Sequence, residues 1–206
     1  MTTSLPDVLG AIATEGVGFL KTAGVTAGRA ALAAYLNKRA ADARDILFDE
    51  LQSGGILPEH VAALDDGIAI MHGFMRAAWE GKARINIRLL ARAIKGQLET
   101  GALVADEFFL YSDALANLSR DEIILLATLL HSHAQPAEKG VWQVCLRRLQ
   151  AQGWSDNKIS AVAGRSLRSG FVSAASGWGT LAFLPSPLLF DVCKTVDFED
   201  VMRREP

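Results

Sequence analysis

Ser119-Arg120-Asp121-Glu122, followed by Ile123-Ile124-Leu125-Leu126-Ala127-Thr128-Leu129-Leu130, is the stretch on which the fold turns. A serine three residues ahead of a glutamate forms a capping box. The Ser119 side chain accepts from the Glu122 N–H while the Glu122 carboxylate reaches back to the Ser119 N–H. The helix opened in this way is apolar almost all round, so it predicts a segment surrounded by other elements and not one lying on a surface. A module boundary is therefore expected just before it, dividing the chain into a helical domain over 1–118 and a second module over 119–206.

Upstream, Leu32, Leu36, Ala40, Ala43, Leu47 and Leu51 recur at three and four residues and predict one long helix over 25–52, ended by Ser53-Gly54-Gly55. Pro58 opens the next helix, expected over 58–80, where Val61, Leu64, Ile68, Met71 and Met75 keep the same spacing. The two read as an antiparallel hairpin. Helices over 82–99 and 103–117 complete the first domain. Downstream, helices are expected over 138–151 and 156–168, the latter capped by Ser155 or Asp156. The period then changes. Phe171–Ala175 and Thr180–Leu184 read as two strands joined by the four-residue loop Ser176-Gly177-Trp178-Gly179, and a last helix follows from Leu188 to about Val196.

The chain is 206 residues long, half hydrophobic and 21 % charged, which is the balance of a folded protein able to bury a substantial core. With a net charge of −2, any attraction to nucleic acid or to an anionic membrane must come from a local patch. Cys145 and Cys193 lie far apart and outside any C-x-x-C, and the N-terminus has no signal-peptide pattern, so a cytoplasmic protein with free thiols is expected. Lys21 and Arg29 interrupt the Ala/Gly-rich segment 5–36, which rules against a spanning helix there.

Few constellations point to chemistry. Arg84, Arg88, Arg92 and Lys95 share about 80° of one helix face and form a candidate surface for phosphate or an acidic partner helix, or else the wet side of the helix paired with neighbouring carboxylates. Trp178, set between glycines at a hairpin tip, is a candidate aromatic anchor for a protein partner, or else folds back onto the third helix of its module. Lys158, Arg165 and Arg168 share the outer face of the helix over 156–168 and are either the candidate DNA contacts or, the favoured reading, part of a solvated helix face. Residues 119–206 hold ten basic against nine acidic side chains, however, and the strands hold no lysine or arginine. That balance releases few counterions from a duplex. His131 and His133 form an H-x-H without further ligands at a suitable spacing, and His60 and His72 stand alone, so no metal is expected. Gly16-Val17-Gly18 belongs to no phosphate-binding motif, and neither a nucleophile elbow nor a reactive-thiol signature occurs, so no cofactor and no catalytic residue are assigned.

Two resemblances add to this reading. Three helices, a hairpin and a closing helix follow the order of a winged helix. Residues Ile159 to Cys193 resemble that family's recognition helix, wing and following helix, through Leu167-Arg168-Ser169-Gly170-Phe171-Val172, the turn at Gly177, and Phe183-Leu184-Pro185-Ser186-Pro187-Leu188-Leu189-Phe190. The order of Phe108-Phe109-Leu110-Tyr111, then Leu118 to Glu122 with its apolar helix, then Phe183 to Pro187 and Cys193, is similar to bacterial abortive-infection-alpha-type proteins over about residues 80–195. That likeness implies a bacterial or prophage protein concerned with phage defence, with no catalytic residues to carry over. The expectation is thus a mainly α protein with a helical bundle and a winged-helix-like module. It acts without catalysis by contacting another protein or its own copy. DNA binding through Lys158, Arg165 and Arg168 is the alternative, and attachment to a membrane surface by residues 1–24 is the third reading.

Overall fold

In the computed structural model the described residues are 26–57, 61, 66–101, 103–134, 140–177 and 180–205. They form a mainly helical structure with one two-stranded antiparallel sheet, divided into two compact units, Met1–Ala116 and Asn117–Pro206. The division lies two residues before the boundary read from the capping box. No helix among the described residues is long and apolar enough to cross a membrane.

In the first unit α1 (Thr26–Ser53), α2 (Gly67–Trp79) and α3 (Arg84–Glu99) pack pairwise on one another. The stripe read on α1 enters the core only from Ala40 onward. Ala40, Ala43, Leu47 and Leu51 are buried, whereas Leu32 near the start is 44 % exposed. The helix ends where its glycines dictate. Gly55 takes φ 68°, the Gly55 N–H donates to Gln52 and the Ile56 N–H to Leu51, the paired bonds of a Schellman motif. Of the helix expected over 58–80, the described part is Gly67–Trp79 and Val61. Arg39 of α1 donates to the carbonyls of Ala78 and Lys82, completing the C-terminal end of α2 from a neighbouring helix. Polar pins then fix α4 (Ala105–Asn117). Asp66 Oδ2 accepts from the Ala105 N–H at 2.8 Å, Asn86 donates to the Leu115 carbonyl at 2.8 Å, and Gln97 Nε2 donates to the Tyr111 hydroxyl at 3.0 Å.

The second unit is organised around α5 (Arg120–His133), as its apolar circumference predicts. It packs against α6 (Val141–Ala151), α7 (Asp156–Ser166), the second strand and the last helix. Both halves of the capping box form. Ser119 Oγ accepts from the Glu122 N–H at 3.3 Å, and the Ser119 N–H donates to Glu122 Oε2 at 2.9 Å. Ser155 caps α7, which gives way to a 3₁₀ turn at Leu167–Ser169 where the sequence reading continued the α-helix to 168.

Two further expectations are corrected. Strands β1 (Val172–Gly177) and β2 (Thr180–Pro185) pair from Val172↔Pro185 to Gly177↔Thr180, so Ser176 and Gly177 belong to the ladder and the connection is two residues, not four. Ser176 and Gly177 are residue types of little strand propensity, but in-register pairing with Leu181 and Thr180 supplies their backbone partners. The helix expected from Leu188 to about Val196 ends at Val192, as α8 (Pro187–Val192), capped by Ser186, and a further helix that was not expected follows it, α9 (Phe198–Arg204), capped by Asp197. At the hairpin base, Phe183 is buried with its ring centroid 5.0 Å from that of Trp142 in α6.

Candidate functional site

The basic face read on α3 is turned largely inward, a correction to its reading as a partner surface. Arg88 Nη1 lies 2.6 Å from Asp49 Oδ2 and 2.7 Å from Glu50 Oε1, and Arg92 Nε lies 2.6 Å from Glu50 Oε2. Lys95 Nζ donates to Ser53 Oγ at 3.1 Å and stands 3.5 Å from Glu99 Oε1. Arg88 and Lys95 are buried and Glu50 is wholly so, while Arg84 at the helix start is exposed. A carboxylate enclosed in this way is tolerable only with cations and hydrogen bonds around it. Glu50 and its two arginines therefore join α1 to α3. The signal for this was present in the acidic pair Asp49-Glu50 at the end of α1, but it takes the antiparallel packing to bring that pair opposite Arg88.

In the second unit the outer side of α7 is a continuous stripe of exposed residues: Asn157, Ser160, Ala161, Gly164, Arg165 and, one turn on, Arg168. Spacings of three and four place them on one face. Arg165 and Arg168 have no ion pair or side-chain hydrogen bond among the described residues, and a methyl group built on Gly164 would meet nothing within 4 Å. Lys158 differs from them. Its Nζ lies 2.9 Å from Asp121 Oδ1 and 4.0 Å from the Trp154 ring centroid, so its charge is already engaged in an ion pair and a cation–π contact. Trp178 lies outside the described residues. Of the hairpin side chains, Ser173, Ala174, Ser176 and Leu181 are exposed, a neutral set.

The H-x-H does not converge. Positions two apart on a helix point to opposite sides, and His131 Nδ1 lies 3.3 Å from Glu199 Oε1 of α9 whereas the His133 ring sits 4.8 Å from that of Phe190 in α8. Among the described residues no three or more of His, Cys, Asp and Glu are grouped closely enough to hold a metal ion. A small cavity of about 280 Å³ nevertheless brings together His131, Cys193, Asp197 and Glu199, the residue types of a thiol hydrolase. Its electrostatics oppose that chemistry. Burial, reinforced by the Asp197 carboxylate, pushes the Cys193 thiol up from 9.0 to about 12, whereas a nucleophilic cysteine needs its thiolate favoured. Burial likewise pushes Cys145 up to about 12.

A larger cleft of about 680 Å³ opens beside this cavity, floored by α5 and walled by α6 and α9. Sequence reasoning missed it because α9 was not foreseen. The available signal was Asp197 as N-cap, acidic Glu199 and Asp200 in the following turn, and basic Arg203 and Arg204 at the end, a charge order that suits a helix dipole. No family model, no curated protein and no solved structure matches the chain.

Proposed function

We propose that this chain is a non-enzymatic contact protein of the cytoplasm, whose second unit is a winged-helix-like module that engages a partner protein through the outer face of α7. The observation that carries the reading is the pair of exposed arginines, Arg165 and Arg168, whose guanidinium groups have no partner among the described residues. They stand on a stripe of small side chains. Ala161 and Gly164 permit close approach of another surface, and arginine is enriched among residues that dominate protein contacts. An acidic patch on the partner is the complement.

Duplex DNA is the second reading, supported by the position of α7 as the third helix before the hairpin. Engagement of Lys158 by Asp121, the absence of Lys and Arg from the strands, and the near-neutral balance of residues 119–206 weigh towards protein. The likeness to abortive-infection-alpha-type proteins points to phage defence as the setting.

The test places a photo-crosslinking phenylalanine derivative at Ala161 of the full chain in its native cells. A discrete protein adduct that disappears in Arg165→Glu/Arg168→Glu is expected. In parallel, fluorescence anisotropy with random duplex at about 50 and about 200 mM salt is expected to show no binding. Micromolar affinity that weakens steeply with salt and vanishes in Arg165→Ala/Arg168→Ala would replace the protein reading with the DNA one.

A further inference from the structure

We infer that the larger cleft of the second unit is a binding site for a small amphipathic carboxylate, an apolar chain ending in a single carboxyl group. The inference is independent of the α7 contact face, which shares no residue with this cleft. Four residues of α5 spaced as one helix face, Ile124, Ala127, Thr128 and His131, contribute to the cleft, and they extend along the helix for about 10 Å at 1.5 Å per residue. The Thr128 hydroxyl donates to the Ile124 carbonyl at 2.8 Å, so that hydroxyl hydrogen is already satisfied within its own helix. Ala151 from the end of α6 and Met202 from α9 add apolar walls. Methionine is unbranched and polarizable, which suits it to an irregular or flexible tail. A volume of about 680 Å³ is the size at which small-molecule sites are found, in the range of about 300–1,000 Å³, and clefts between helices of a bundle are a common place for them.

The polar groups of the cleft select the head. Arg148 and Arg203 both contribute to it, with His131 and Gln152, and among the described residues of the lining the one carboxylate is Glu199, which already faces His131 Nδ1 at 3.3 Å. Arg203 is paired with Asp200, but a guanidinium has five N–H donors and one carboxylate uses at most two of them. The planar fork of arginine matches a carboxylate in two parallel hydrogen bonds. Glu199, a negative charge within the same lining, disfavours a dianionic head such as a phosphate monoester. An apolar floor with cationic groups in the same lining is therefore complementary to a tail with one carboxylate, and less so to a neutral alcohol or an amine.

The probe is decanoate, added below its micellar concentration to the full chain labelled with ¹⁵N, with decanol and decylamine as controls. Saturable amide shifts confined to 124–131, 148–152 and 199–203 are expected with decanoate alone. Arg148→Gln should weaken binding about ten-fold, the scale of a lost hydrogen bond to a charged group. Ala151→Trp fills the cleft from an exposed position, so it should abolish binding while leaving the thermal unfolding midpoint unchanged. Three results would overturn the inference: unsaturable or scattered shifts, equal binding of decanol, or undiminished binding by a folded Ala151→Trp variant.

Discussion

Among the described residues of the first unit, Glu50 is the charged residue most completely buried. Its carboxylate is withdrawn completely from solvent and lies within 2.7 Å of two arginines on the facing helix. Removing one member of such a set leaves the others buried and uncompensated, so Glu50→Ala is expected to destabilise the unit by about 3–5 kcal/mol, measured by urea unfolding. Asp49, more than half exposed, shares Arg88 but keeps its contact with water, and Asp49→Ala should cost no more than about 1 kcal/mol. The two thiols make a different prediction. Their folded pKa values lie near 12 and above the ordinary 9.0, so the neutral thiol is the form the fold favours. The unfolded chain loses those protons first as pH rises. The stabilising contribution is therefore full below pH 9 and is lost progressively between 9 and about 12. The urea midpoint should fall across that window, with a shallower decline in Cys145→Ala, and both thiols should resist alkylation at pH 8 until the protein is unfolded.

Among the elements, α5 depends most visibly on local sequence. Its capping box satisfies N–H groups that the helix cannot satisfy for itself, and Ser119→Ala should cost about 1 kcal/mol, with Ser119→Asp recovering most of it, as read by thermal unfolding of the full chain. This helix was legible because the box and the apolar run are both contiguous in sequence. The hairpin was legible in kind but not in extent. Ser176 and Gly177 look like loop residues, and their places in β1 follow from register with β2, which is set at the other end by the Val172↔Pro185 pair and by the Ser186 N–H bonding to the Phe171 carbonyl. Helix α9 was legible in its charges yet passed over, because seven residues are too few for a periodic apolar pattern to stand out.

At the scale of the whole molecule, the division into two units makes a direct prediction. The second unit has its own central helix and a buried set that includes Leu125, Leu126, Leu129, Cys145, Leu149, Phe171, Phe183 and Val201, so a fragment beginning at Asn117 should fold alone and unfold cooperatively by circular dichroism. A fragment lacking cooperative unfolding would mean that its core is completed by the first unit. The sequence by itself determined the helical class, the start of α5, the glycine stop after α1, the presence of a hairpin before Pro185, and Arg165 and Arg168 as an exposed basic pair. Each of these rests on residues within a turn or two of one another, where spacing and backbone chemistry decide the outcome. Only the tertiary structure decided that Arg88, Arg92 and Lys95 turn towards α1, that Lys158 meets Asp121, and that α5, α6 and α9 leave a cleft between them. Those outcomes depend on which face of one helix meets which face of another, across 37 to 42 positions of chain for the named side-chain pairs, and a charged side chain looks the same in sequence whether water or a buried carboxylate receives it.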